Sequence, residues 1–185
     1  MLREAEDLAK DGMDKALDRL KKELGRVRTG RANPALLDEI KVDSYGTQLP
    51  LKQAATVSVA DARLLVIKPY DRNNIAAIER AINNSQLGLN ASNDGVIVRV
   101  PIPALTEERR KDLVKQVHKA GEDAKVAIRQ ARRDANDLLK EAEKDREISE
   151  DDLKKGLEKV QTLTDKEIKT ADELIGKKEK EIMEG

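Results

Sequence analysis

Residues 28–34 read Arg-Thr-Gly-Arg-Ala-Asn-Pro, and this heptapeptide breaks a helix. Upstream of it, Ala5, Ala9, Met13, Ala16, Leu20, Leu24 and Val27 recur every three or four residues, tracing one apolar stripe. Gly30 and Pro34 supply the stop, since glycine accepts the turn that closes a helix and proline cannot continue one. Arg28 and Arg31 bracket that glycine, close to the last turn of the expected helix, where positive charge offsets the helix dipole.

Long helical period resumes only at Thr106, a good N-cap, with Glu107 and Glu108 in the first turn. The stripe of this second helix runs through Leu113, Val117, Ala120, Ala124, Ile128, Ala131, Ala135, Leu138 and Ala142. About forty residues at ~1.5 Å each make a rod of roughly 60 Å. A third helix opens at Ser149, with Asp152 three positions on as a variant capping box, and its stripe is Leu153, Leu157, Val160, Thr164, Ile168, Ala171, Ile175 and Ile182. The stripes are narrow, rich in small residues and flanked by charge. No such helix is stable alone in water, so the three are expected to bury their stripes in a slender bundle.

Residues 35–105 obey different rules. Ile40, Val42 and Ser44 alternate with polar residues before a Tyr45-Gly46 turn. TVSV (56–59), RLLVIKPY (63–70) and VIVRVPI (96–102) read as strands, with a short helix through NIAAIERAIN. The fold class is therefore α+β: an elongated three-helix bundle, residues 1–30 and 105–185, with a small β/α domain, 31–104, inserted between its first two helices. The chain crosses between the domains twice. The crossings hold Gly30, Ala32, Asn33 and Pro34 on one side and Pro101, Pro103, Ala104 and Leu105 on the other, and they read as a double hinge near 30–34 and 101–105.

Composition removes several function classes. There is no cysteine, hence no disulfide, thiolate catalysis or cysteine–zinc site. Tyr45 and Tyr70 are the only aromatics, which argues against stacking single-stranded bases on aromatic platforms. The one histidine, His118, sits beside the second stripe without metal-ligand spacing, and the glycines form no phosphate loop. No metal, cofactor or enzyme activity is expected. No apolar run approaches the ~18 residues of a membrane span, and the start, MLREAEDLAKDG, lacks a signal-peptide core. A soluble, cytoplasmic monomer without membrane contact is the expectation.

Charge is segregated, although 36 bases balance 36 acids. Residues 109–133 carry nine bases against three acids, and 134–185 carry eleven bases against seventeen acids. Lys125, Arg129, Arg132 and Arg133 stand at i, i+4, i+7 and i+8, on one side of the second helix. Few acids are spaced to pair with them. Arginine suits phosphate because its planar fork donates two parallel hydrogen bonds. Structured RNA or another polyphosphate, bound through backbone and shape, is the ligand this face fits. The competing readings are a chaperone-like helical bundle that binds proteins, which would bind through an apolar seam with little salt sensitivity, and a nucleoid-type DNA binder.

RTGRANPALL, YGTQLPL, SQLGLN with its NDG, PALTEERRKDL, RQARRDAND, ISEDD and QTLTDKEI, in this order and spacing, resemble the ribosome recycling factor family from end to end. The resemblance implies an L-shaped pair of domains joined by a flexible hinge. It implies binding to the post-termination ribosome, mainly to large-subunit RNA, and subunit splitting together with elongation factor G and GTP. It places RNA contacts on Arg28, Arg31, Arg129, Arg132 and Arg133. The sequence departs from the family's usual pattern at Ser44, where a tyrosine is common, at Gln130, usually asparagine, and at Ala91, usually proline. Arg28 and Arg31 then lie where bundle meets hinge, able to hold phosphate at the pivot.

Overall fold

In a computed structural model describing Met1–Gly185, helix α1 covers Leu2–Arg26, α4 Glu107–Lys144 and α5 Glu150–Glu184. Between α1 and α4 come the strands β1 (Lys41–Ser44), β2 (Thr47–Pro50), β3 (Ala55–Asp61), β4 (Leu64–Pro69), β5 (Ser92–Asn93) and β6 (Val98–Pro101), with the short α2 (Leu51–Ala54) and α3 (Ile75–Asn83). The chain divides into two compact units, Met1–Val27 with Lys111–Glu181, and Arg28–Arg110 with Ile182–Gly185. No helix is long and apolar enough to cross a membrane.

The caps form as the residue types dictate. Thr106 Oγ1 accepts from the Arg109 amide at 3.1 Å. At α5, Ser149 Oγ accepts from the Asp152 amide at 3.1 Å while Asp152 Oδ2 accepts from the Ser149 amide at 3.3 Å, a reciprocal capping box. The end of α1 departs from expectation. It closes at Arg26, because β-branched Val27 takes an extended conformation (φ −76°, ψ 127°), and Arg26 is the cation of the last turn. Arg28 and Arg31 lie beyond the helix, outside its last turn.

In the first unit the three helices meet through small residues. A Cβ on Gly12 would lie 2.8 Å from Ala131 Cβ; one on Gly121 would overlap Ile175; one on Gly156 would lie 2.9 Å from Leu139 Cδ1 and 3.0 Å from Leu2 Cδ2. These pairings run α1 and α5 parallel to each other and antiparallel to α4. All seven expected stripe positions of α1 but Val27 are buried, and Leu17 joins them. On α4 the seam takes Gly121 and Leu139, with Ala120 and Leu138 half-buried at its edge. The stripe is one residue out of register at these two places because the period of a straight helix drifts against a strict heptad.

The second unit carries a four-stranded antiparallel sheet, order β3-β4-β6-β5, and a separate β1–β2 hairpin. Alternation buries Leu65 and Ile67 of β4 and Val98 and Val100 of β6, against Ile78 and Ile82 of α3. The hairpin turns on Tyr45 and Gly46, both left-handed (φ 52° and 81°), with Asp43 Oδ1 accepting from the Gly46 amide at 3.0 Å. Strand β2 has no signature of its own, its TQLP being short, polar and proline-terminated; the hairpin turn creates it. Ser44 is buried and donates to Asn74 Oδ1 at 3.3 Å. Ala91 donates its amide to Asn83 Oδ1 at 2.7 Å, a bond that proline in its place could not make.

Close helix approach has opposite consequences at two glycines. Gly12→Ala must push α1 and α4 apart, an overpacking cost of about 1–3 kcal/mol that outweighs a propensity gain of about 1 kcal/mol. Gly176 is on α5 with nothing within 4 Å of a new Cβ, so Gly176→Ala should stabilise by about 0.5–1 kcal/mol. Urea unfolding measures both; equal midpoints for the two variants would contradict the packing described.

Candidate nucleic-acid interface

The chemistry-bearing residues of the bundle are cations on α4. Arg129 and Arg132 are half-buried and Arg133 is exposed. None of the three forms an ion pair with a carboxylate within 4.0 Å. Arg132 has one partner, a neutral one: Nη1 donates to Gln161 Oε1 on α5 at 3.3 Å. Asp134, the nearest acid in sequence, accepts from Gln130 Nε2 at 2.8 Å. The guanidinium forks are thus left with most of their donors open.

Lys125 is held differently. Its Nζ lies 2.5 Å from Asp172 Oδ1 on α5 and 3.5 Å from Glu122 Oε1, and its side chain is 16% exposed. The hydrogen bond to Asp172 is the main reason its ammonium titrates above the ordinary lysine value. Spacing alone groups Lys125 with the arginines; the packing gives it a structural partner they lack. His118, exposed, sets Nε2 3.1 Å from Glu179 Oε2 across the α4–α5 pair.

In the second unit, Arg31 is exposed and Arg28 half-buried, both without ion-pair partners. Burial, and then the neighbouring Arg109, lower the pKa of Arg28 from its ordinary value. Gly30 takes a left-handed conformation (φ 77°) that suits glycine, and its Cβ position would lie 3.7 Å from the Leu105 amide, so the two crossings run side by side. Both are tied to the β3–β4 turn: the Ala32 amide donates to Ala62 O at 2.7 Å and the Ile102 amide to Arg63 O at 2.8 Å. Asn33 Oδ1 caps a 3-10 helix that begins at Pro34, and Pro101 ends β6. Arg28–Arg31 and Pro103–Leu105 donate no backbone–backbone hydrogen bond.

Two features escape the sequence. Tyr45 and Tyr70, the only aromatics, are 76% and 70% exposed, and Tyr45 Oη donates to Asp71 Oδ2 at 2.7 Å. That hydroxyl, then the Asn73 amide, lowers the pKa of Asp71 from the ordinary carboxylate value. Gln161 is the other; nothing in its spacing marks it, because its partner is 29 residues away.

Comparison with known proteins matches this geometry to one family. The sequence profile described as ribosome recycling factor matches residues 20–183. The chain is similar to the ribosome-recycling factor of Halalkalibacterium halodurans, 55% identical over 184 residues and 100% of both chains. It is likewise similar to that of Nitratidesulfovibrio vulgaris, 55% identical over 176 residues and 95% of each. A solution structure of the ribosome recycling factor superposes with a TM-score of 0.81 at 43% identity, covering 100% of this chain and 98% of the other. The T. thermophilus ribosome recycling factor, described with E. coli elongation factor G bound to the E. coli post-termination complex, gives a TM-score of 0.70 at 48% identity over 98% of each chain. With the family's profile matching residues 20–183, and relatives at more than half identity and a solved fold covering the whole chain, the chain belongs to the ribosome recycling factor family.

Proposed function

We propose that the chain binds the post-termination ribosome and, together with elongation factor G and the GTP that factor hydrolyses, promotes separation of the subunits for a new round of translation. The observation that carries this reading is the set of arginines on α4 with no carboxylate against them, in a chain whose acids and bases are equal in number. Arg129, Arg132 and Arg133 would contact large-subunit RNA, with Arg28 and Arg31 holding phosphate beside the crossings. Lys125 contributes to the field of this face while pinned to Asp172. A protein-binding bundle would keep an apolar seam open, whereas here the stripes of all three helices turn inward. The chain acts in the cytoplasm, without a cofactor and without catalysis of its own.

The small domain, 31–104, is the part that moves. The bonds from Ala32 and Ile102 to the β3–β4 turn tie those residues to the small domain. Rotation then falls on Arg28–Arg31 and Pro103–Leu105, where no such bonds resist it. Phosphate held at Arg28 and Arg31 would fix the pivot while the domain beyond it swings toward the small subunit and elongation factor G.

Charge-assisted contacts from arginine to phosphate contribute on the order of 1.5–3 kcal/mol each. Arg132→Ala should weaken ribosome binding by roughly tenfold or more and flatten its salt dependence, with melting unchanged to about 0.5 kcal/mol. Arg132→Lys should recover only part of the loss if the bidentate fork matters. Affinity at several salt concentrations, alongside thermal melts, measures this; parent-like binding by Arg132→Ala would contradict the reading.

Lys125→Met should behave in the opposite way, lowering stability by up to about 1 kcal/mol, with coupling to Asp172→Asn in a double-mutant cycle. Because the folded pKa of Lys125 is raised, its contribution is fully present below the ordinary lysine pKa and fades as pH rises through the folded value. Urea melts from neutral to alkaline pH would show the parent converging on Lys125→Met; a gap that persists to high pH would count against the pair.

A further inference from the structure

Arg132 is the one arginine of the α4 face with a side-chain tether. Its Nη1 donates to Gln161 Oε1 at 3.3 Å, and Gln161 Nε2 in turn donates to Asp165 Oδ1 at 2.8 Å. Gln161 and Asp165 are one helical turn apart on α5, so their side chains are neighbours. The chemistry of the three groups permits only one arrangement. A guanidinium only donates and a carboxylate only accepts, so the amide must turn its oxygen to Arg132 and its NH₂ to Asp165. Reversing the amide would set NH₂ against guanidinium and carbonyl against carboxylate.

We propose that Gln161, oriented by Asp165, is a positioning residue that holds the Arg132 guanidinium ready for an RNA phosphate. The inference rests on the reading of Arg132 as an RNA contact. A neutral amide suits this task better than an acid. It restrains one of the five N–H donors and leaves the full positive charge and the other donors for the ligand. A carboxylate in its place would neutralise the cation and compete with phosphate for the fork. Asp165 supplies the orienting charge from one residue further away, screened from Arg132 by the amide between them. Arg129 and Arg133 have no equivalent tether and must be ordered when the ligand arrives.

The ordering cost of a long side chain at an interface corresponds to about two- to tenfold in affinity. In full-length protein titrated with purified bacterial ribosomes, Gln161→Ala should weaken binding by that factor, with melting unchanged. Asp165→Ala should weaken it less, and Gln161→Glu at least as much as Gln161→Ala. The deciding comparison is a double-mutant cycle: in an Arg132→Ala background, Gln161→Ala should have no further effect. Gln161→Ala binding like the parent, or weakening the Arg132→Ala protein as much as the parent, overturns the positioning role. If Arg132→Ala itself binds like the parent, the RNA-contact reading fails first and this inference falls with it. If Arg132→Ala is weak while Gln161→Ala is not, the inference alone fails.

Discussion

The bundle depends on three helix backbones coming closer than ordinary side chains allow. The chain has no phenylalanine or tryptophan, so it lacks the residues that fill wide gaps between helices. It compensates with Gly12 against Ala131, Gly121 under Ile175 and Gly156 against Leu139, each too tight for an added Cβ. Close approach recovers dispersion contacts that bulk would otherwise supply. A narrow seam also leaves most of each helix surface to water. That is what lets α4 carry both an apolar stripe and a run of arginines on neighbouring sides of one rod.

Charge on that rod is arranged by partner as well as by position. Lys125, nearest the α5 seam, is ion-paired with Asp172, and Arg132 is restrained by a neutral amide. The local acids Asp134 and Asp165 are each engaged by a glutamine. Gln161 stands between Asp165 and Arg132, and Gln130 engages Asp134, so neither acid pairs with an arginine of this face. In the second unit a different economy holds: the two crossings are bonded to one β-turn, so the small domain is stiff up to Ala32 and Ile102. Beyond them, Arg28–Arg31 and Pro103–Leu105 donate no backbone–backbone hydrogen bond.

Much of this is legible in the sequence, and the misses have physical causes. The caps at Thr106 and Ser149 can be read because capping is local, set by one side chain and an amide three residues away. The stripe of α1 is legible from period up to Leu24. On α5 Val160, Thr164, Ala171, Ile175 and Ile182 are buried as read, whereas Leu153, Leu157 and Ile168 are only half-buried and Gly156, Glu167 and Lys178 take seam positions. Spacing puts the end of α1 too late, since Gly30 and Pro34 are conspicuous stops while the actual break comes from the extended preference of Val27. Strand β2 and the two-residue β5 exist only through pairing with β1 and β6, which no local pattern announces. Lys125 and Arg132 look equivalent on a helical wheel; Asp172 and Gln161, on another helix, separate them. The arginines themselves stand out by charge and spacing, and the family resemblance points to the same side chains.

The central claim is that docking resides in the bundle and action in the inserted domain. Because Gly30 and Leu105 lie side by side, residues 31–104 can be replaced by a short Gly/Ser linker with little strain. Ribosome binding and light-scattering measurements of subunit splitting, with elongation factor G and GTP, would then be made on the same shortened protein. The account predicts a helical, cooperatively melting chain that still binds ribosomes, weakened by roughly tenfold through the loss of Arg31, and splits none. A shortened chain that still splits ribosomes, or one that folds yet does not bind them, would contradict it.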